Sequence, residues 1–296
     1  MIPIDLSGKV ALVTGVGNDL SFAWYIAKAL QAAGARIVLS CHPRFMNMVG
    51  TILVSTSPDH VAARKLPFVK GDFAPEAEFA CDVSYDTMDD VPPEVRQDRR
   101  WVKIEQEHGD YSIAGLVQKL AAYPHIDILV HSIAYSSEIK NPLVQTSRKA
   151  YLNALSISSY SLISLVRALL PKMPAGSSVI GLTYLGGERV VPHYGGGMST
   201  AKAALDIDAK QLAFNVGREK GVRVNLISAG PYASLAASNI GDIESMKKYA
   251  AERSPLPRPI TAEEVANAAT FLCSPLASGI TGEVLYVDCG YNVMGV

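Results

Sequence analysis

The sequence predicts an α/β protein: a single domain, residues 1–296, built on a doubly wound, mostly parallel sheet of seven strands. Three observations carry that reading. Short runs rich in Val, Ile and Leu alternate with longer amphipathic stretches, the pattern of βαβ units whose sheet is covered on both faces. The first such run ends in a glycine turn that opens straight into a helix-like segment. The 296 residues, 49% hydrophobic and 19% charged, suffice for a sizeable core and contain no internal repeat, low-complexity tract or linker to mark a second one.

Taken in order, strands are expected over residues 9–14, 35–40, 79–83, 127–131, 177–183, 222–227 and 284–288. A helix is expected over 21–33, ending at Gly34, and another within 147–173, ahead of Pro174. The clearest helix runs over 199–220, where Ala201, Leu205, Ala209, Leu212 and Val216 recur at three- or four-residue steps before Gly221 stops it. Residues 43–78 and 84–111 show no sustained period and read as surface insertions.

Charge and composition narrow the partners. Lys plus Arg number 27 against 28 for Asp plus Glu, a net charge of -1, so no global field attracts nucleic acid or an acidic membrane surface. No uninterrupted apolar run approaches the roughly 18–20 residues of a bilayer span, and MIPIDLSGKVALVTG leads into a strand instead of a signal-peptide pattern. The expectation is a soluble chain. Cys41, Cys81, Cys273 and Cys289 lie far apart, with no CxxC and no His at metal-ligand spacing; they read as reduced residues, and no metal is expected.

Two constellations bear on chemistry. After the first strand, Thr14-Gly15-Val16-Gly17-Asn18-Asp19-Leu20-Ser21 would let backbone approach a pyrophosphate at the start of the next helix, as in a Rossmann-type dinucleotide site. The third glycine of G-x-G-x-x-G is absent, Ser21 standing in its place, and a glycine turn also joins strands to helices that bind nothing. Asp82 and Val83 at the end of the third strand could hold an adenine edge, or Asp82 could cap a loop. The second strand ends Ser40-Cys41-His42-Pro43-Arg44, without the acid that usually takes the ribose hydroxyls about 20 residues beyond the turn. There His42 could stack beside adenine, and Arg44 could meet a ribose phosphate or simply be solvated.

The second constellation is LTYLGGERVVPHYGGGMSTAK, residues 182–202, which leaves the fifth strand and enters the long helix. Tyr184, Tyr194 and Lys202 form a plausible proton-transfer set: a neutral phenol donates to a developing oxyanion, and a lysine cation nearby favours the tyrosinate left behind. Taken singly, Tyr184 also reads as a core aromatic, Lys202 as an exposed helical lysine and Gly195–Gly197 as a flexible loop.

These residues resemble the short-chain dehydrogenase/reductase superfamily and, within it, the enoyl-acyl-carrier-protein reductases of type II fatty-acid synthesis. The matching segments are TGVGNDLSFAWYIAKAL, CDVSYD, DILVHSIAYSSE, LTYLGGERVVPHYGGGMSTAKAALD, GVRVNLISAGPYASLAAS and GITGEVLYVDCGYNVMG. The resemblance covers nearly the whole chain and weakens mainly at 43–80. Ordinary short-chain dehydrogenases carry Tyr-x-x-x-Lys; here Met198 stands four residues after Tyr194 and the lysine follows at eight, the spacing of the enoyl reductases. Likewise HSIA at 131–134 replaces Asn-Asn-Ala-Gly, which disfavours a keto-reductase. The 84–111 segment looks like a longer plant, chlamydial and apicomplexan branch, whereas GVGNDLS and GPYASLAAS look bacterial.

The resemblance implies roles. Gly15, Ser21 and Phe22 would line the cofactor turn; His42, Asp82 and Val83 the adenine end; Ser132, Ile133 and Ala134 a wall beside the cofactor. Lys202 would bind the nicotinamide ribose, and Tyr232, Ala233, Ser234, Leu235 and Ala236 the nicotinamide side and pyrophosphate. Tyr194 would hydrogen-bond a thioester carbonyl, with Tyr184 and Ser136 beside the substrate, and residues 235–254 resemble the family's substrate-binding segment. NADH is implied over NADPH, acyl carrier protein bearing an enoyl thioester as partner, a homotetramer built through the long helix and the last helix and strand, and sensitivity to diphenyl-ether inhibitors. The compartment implied is a bacterial cytoplasm, or a plastid or apicoplast stroma after loss of a transit peptide. The rival readings are another short-chain reductase acting on a carbonyl, and a non-catalytic dinucleotide sensor.

Overall fold

The computed structural model describes residues 4–234 and 243–295. At its centre is one seven-stranded sheet in the order β3-β2-β1-β4-β5-β6-β7, with β1 Val10–Thr14, β2 Arg36–Cys41, β3 Ala77–Ala80, β4 Ile128–His131, β5 Ser178–Thr183, β6 Arg223–Ala229 and β7 Val284–Val287. Every pair is parallel, so the carboxyl ends of all seven strands share one rim. β1 lies between β2 and β4, and the winding reverses there, opening the crevice where doubly wound sheets take ligands. β1, β4, β5 and β6 are buried along their whole length, which is why they read as continuous apolar runs.

Helices cover both faces. On one, α1 (Phe22–Ala32) places Trp24, Ile26 and Leu30 against the sheet; α11 (Ala262–Cys273), which the sequence reading left without an element, adds Val265, Ala269 and Leu272. On the other, α6 (Ile113–Lys119), α8 (Ser161–Leu169) and α9 (Met198–Lys220) bury Leu116, Leu165, Leu205 and Val216. Each such fully buried aliphatic side chain is worth about 1.5–3 kcal/mol. The remaining helices are α2 (Met46–Val54), α3 (Pro58–Ala63), α4 (Pro93–Arg96), α5 (Arg99–His108), α7 (Arg148–Leu155) and α10 (Ile243–Arg253).

Three expectations change. The third strand, expected over 79–83, lies at Ala77–Ala80. Cys81 still donates to Cys41 O, but Asp82 N–H turns to Tyr111 O at 2.7 Å, so Asp82 and Val83 leave the sheet. The 43–78 region is not irregular. Met46, Val49 and Ile52 are the buried residues of α2, and α3 is tied to α1 through Ala63 O, which accepts from Trp24 Nε1 at 3.2 Å and Lys28 Nζ at 2.7 Å. In 84–111, α4 and α5 form, and buried Trp101 packs 4.9 Å from Tyr111.

The helix expected within 147–173 is interrupted. α7 passes into a π turn at Ser156–Tyr160 before α8. The turn aims Ser158 at the chain after β4: its Oγ accepts from Tyr135 N at 2.9 Å and donates to Tyr135 O at 3.2 Å. Just beyond, the Ser161 hydroxyl donates to Ile157 O and accepts from His131 Nε2, both at 2.7 Å. The 25-residue stretch Arg148–Lys172 is long and on average apolar enough to cross a bilayer, although it is not the uninterrupted apolar run that the sequence was searched for; half of its most apolar window is buried inside the protein.

Candidate active site

The crevice between β1 and β4 is closed by a glycine. Gly15 has φ +81°, and a Cβ there would lie 2.0 Å from Ser132 O and 3.0 Å from Ile133 Cγ1, so a side chain would both strain the turn and strike the β4 loop. Downstream, Ser21 caps α1: its Oγ accepts from Trp24 N at 3.3 Å and donates to Asn18 O at 2.7 Å. That hydroxyl spends its O–H on the turn, so Ser21 shapes the start of the helix. The first N–H groups of α1 have no acceptor within the helix, and the positive end of its dipole faces the crevice. Glycine cradle and helix start together fit a pyrophosphate. Phe22 opens the helix with its ring 4.8 Å from Tyr232, which follows β6. Ala233 and Ser234 continue from it, Ser234 N–H donating to Tyr232 O at 2.9 Å; Leu235 and Ala236 lie outside the described residues.

At the other end of the crevice, the Nδ1 of His42 accepts from Arg44 N at 3.2 Å, which leaves Nε2–H facing Asp82 Oδ2 at 3.4 Å. Asp82 is buried, and its Oδ1 accepts from Ser84 N at 3.0 Å. Burial works to raise its pKa, but the hydrogen bond and charge of His42, with Ser84, hold it below the usual value. The Trp101 ring stands edge-on to His42, centroids 5.9 Å apart. Val83 is partly buried against the hydrophobic cluster on one face of the sheet. Trp101 was missed from sequence; its signal was an aromatic residue at the end of the polar run VPPEVRQDRRW.

The tyrosines meet where β5 ends. Their ring centroids are 4.9 Å apart at 67°, Tyr194 fully packed and Tyr184 half-buried, with Ala134 and Ile139 around them. His193, at φ +66°, turns the chain into Tyr194. The glycines after it are no flexible loop. Gly195 N–H donates to Ile139 O and Gly196 N–H to Asn141 O, both at 3.0 Å, and the buried Ser136 hydroxyl donates to Gly196 O at 2.7 Å. A Cβ at Gly195 would come within 2.0 Å of Asn141 O, and at Gly196 within 2.4 Å of the Glu138 backbone. Ser136 therefore spends its O–H on holding the loop under Tyr194 and keeps only acceptor capacity. Residues 135–141 also line a cleft of about 440 Å³.

Lys202 is buried, 4% exposed, and its Nζ donates to Leu182 O at 2.7 Å, leaving further N–H donors on the ammonium. Burial brings its pKa down to about 8, opposed by Asp206 one helical turn on, so it is a cation at pH 7. Asp206 was not anticipated, although its i+4 spacing from Lys202 signalled it. Tyr194 is pushed up by burial first and then by Tyr184 and Asp206; Tyr184 is pushed up by burial and then by Tyr291 and Asp288. Both stay phenols at neutral pH. That matches the neutral phenol donor expected from sequence, and burial outweighs the nearby lysine in setting its state. Beneath, His131 is held to about 3 by burial and then by Lys202, and is uncharged.

The family model described as enoyl-(acyl carrier protein) reductase matches residues 108–292. Over 302 residues the chain is 43% identical to the chloroplastic NADH enoyl-acyl-carrier-protein reductase of Arabidopsis thaliana, a match covering 100% of this chain and 74% of that protein. The chain belongs to the enoyl-acyl-carrier-protein reductase family. Solved members share its fold. The Plasmodium berghei enoyl-acyl-carrier-protein reductase with triclosan superposes with a TM-score of 0.89 at 33% identity, over 97% of this chain and 99% of that one. The Bacillus cereus enoyl-acyl carrier protein reductase with NADP+ and indole naphthyridinone gives 0.78 at 33% identity, over 98% and 99%.

Proposed function

We propose that this enoyl reductase saturates trans-2-enoyl thioesters borne by acyl carrier protein, with NADH as reductant, in the last step of the fatty-acid elongation cycle. The observation that carries the reading is the buried Tyr184–Tyr194 pair on the carboxyl rim, with the Lys202 ammonium seated on the strand end that leads into it. Gly15 and the start of α1 would hold the pyrophosphate of NADH in the β1–β4 crevice, Lys202 would turn its spare N–H groups to the ribose hydroxyls, and His42 and Asp82 would border the adenine. So held, the cofactor would supply the hydride for the β-carbon, and a proton taken up at the α-carbon would complete the saturation. Tyr194 donates its hydrogen bond to the thioester carbonyl as negative charge moves onto that oxygen. One such donor is worth roughly 2.7–4 kcal/mol in a transition state. The Gly195–Gly197 loop fixes the phenol before the charge appears, and Tyr184 closes the apolar side against water.

The deciding experiment follows NADH oxidation at saturating crotonyl thioester and, separately, acetoacetyl thioester. Turnover of the first alone is expected. Turnover of the second alone would make this a carbonyl reductase, and NADH binding with neither turned over would make it a sensor. Lys202→Ala is expected to raise the Kd for NADH about tenfold or more, read by titration; wild-type affinity would remove its ribose role.

The tyrosine pair also offers an aromatic wall for a diphenyl ether. Ile207 and Phe214, 53% and 62% exposed on α9, are the apolar surface through which four copies would assemble, with light scattering as the check. A plastid stroma or a bacterial cytoplasm fits as the compartment, in keeping with a chloroplastic relative and bacterial structural neighbours.

A further inference from the structure

The carboxyl end of β2 is where a doubly wound fold sorts its coenzymes: an acid there takes the adenosine ribose hydroxyls, and an arginine accommodates a 2′-phosphate. In this chain His42 and Arg44 occupy that place, and the carboxylate within reach, Asp82, is engaged. One of its oxygens accepts from Ser84 N–H at 3.0 Å, and the other faces the His42 imidazole at 3.4 Å. With both oxygens engaged, Asp82 is held away from a 2′-hydroxyl, and no other carboxylate among the described residues is paired with His42 or Arg44.

Arg44 is in the opposite state. It is exposed and makes no ion pair among the described residues, unlike Arg36, Arg167 and Arg258, which are matched to Glu76, Asp86 and Glu264. Its guanidinium nevertheless has a fixed seat over the ring of Trp101, 5.6 Å from the centroid. A guanidinium held over a ring in this way keeps N–H groups available for bonds to an oxyanion. The seat is firm: Trp101 is 8% exposed and lies 4.9 Å from Tyr111, whose carbonyl accepts from Asp82 N–H. The backbone of Arg44 is tied as well, through its N–H to His42 Nδ1. An arginine ordered beforehand loses less rotamer freedom on binding than a solvated one.

From this arrangement we propose that Arg44, seated on Trp101, forms a 2′-phosphate subsite, so that the enzyme binds NADPH as well as NADH, with Trp101 as the positioning residue. The proposal rests on the reading of the β1–β4 crevice as the dinucleotide site. Arg44 supplies charge-assisted hydrogen bonds to the extra phosphate, and Trp101 supplies the seat from which they are made.

The test is a binding titration of the purified protein with NADH and with NADPH, read by nicotinamide fluorescence, and of AMP against 2′-phospho-AMP as displacers. The wild-type Kd for NADPH is expected within about tenfold of that for NADH. Arg44→Ala is expected to weaken NADPH about tenfold or more while moving NADH less than about threefold, and to abolish the advantage of 2′-phospho-AMP over AMP. Trp101→Leu is expected to act in the same direction and Trp101→Phe, which keeps a ring face, to retain NADPH. If Trp101→Leu fails to fold by circular dichroism, Arg44→Ala and Trp101→Phe still decide. NADH binding with NADPH more than about a hundredfold weaker, or equal weakening of both by Arg44→Ala, overturns the proposal alone. Failure of both nucleotides to bind overturns the dinucleotide reading and the proposal with it.

Discussion

α1 and α9 both begin at the carboxyl rim of the sheet, yet they are entered in opposite ways. α1 follows a turn with one left-handed glycine, Gly15, and is capped by the Ser21 hydroxyl. α9 follows three glycines, and its cap is Gly197 at φ +81° with no side-chain hydrogen bond. In the first case one close approach, to Ser132, leaves the helix start facing the crevice. In the second, the glycines are pressed onto the 136–141 backbone, and what the loop presents is the Tyr194 side chain. The same residue type thus opens backbone to the crevice in one place and clamps the Tyr194 phenol in the other.

The sharpest way to break this comparison is to fill the two glycines. Gly15→Ala sets a methyl against the Ser132 carbonyl and is expected to weaken NADH binding by about a hundredfold or more. Gly196→Ala, driven into the Glu138 backbone, is expected to leave nucleotide binding within about threefold and lower turnover of crotonyl thioester. Equal effects of both on binding would dissolve the distinction. Next in size, Tyr194→Phe keeps the ring against Tyr184 and removes only the donor; steady-state kinetics should show kcat down about tenfold or more with NADH affinity kept.

Lys202 sharpens the contrast through pH. With its pKa lowered from 10.5 to about 8, the ammonium is present below that value and lost above it, so NADH affinity should fall as pH rises through 8. Stability responds with the other sign. Between 8 and 10.5 the unfolded chain holds a proton the folded one has released, so this group's contribution to apoprotein stability grows with pH there. Lys202→Met should remove both trends, seen in nucleotide titrations and denaturant melts across that range. The smallest effect belongs to the α1 cap. Ser21→Ala is expected to cost about 1 kcal/mol, a fall in Tm of roughly 2–4 °C by calorimetry.

Much of this was legible beforehand, for reasons that also explain the rest. The central strands are buried on both faces, so their apolar runs had no competing reading. β3 was misplaced because Cys81 and Val83 are as apolar as the strand before them. What ends pairing is a backbone bond to Tyr111, far along the chain. α2 escaped notice because Gly50 and the flanking prolines mask the step of three from Met46 to Val49 to Ile52. Tyr184, Tyr194 and Lys202 were visible by type and spacing, whereas the burial that raises the phenols' pKa and weakens the lysine's hold on its proton depends on neighbours no local window contains. The glycine triplet shows the same limit: composition suggests freedom, and only the 136–141 segment reveals the clamp.

The π turn at Ser156–Tyr160 has a consequence for how this protein can vary. Three of its five residues, SISSY, are serines, and it would seem free to lengthen or shorten. Removing one residue so that the helix closes to a regular pitch would keep α8 in nearly its present phase, because four residues at about 100° turn as far as five in the wider coil, but it would close the wide turn that presents Ser158 to Tyr135. The turn is in this sense a contact setting between two helices and a strand end, so descendants of this chain that lose the wide turn should also lose that hydroxyl bond.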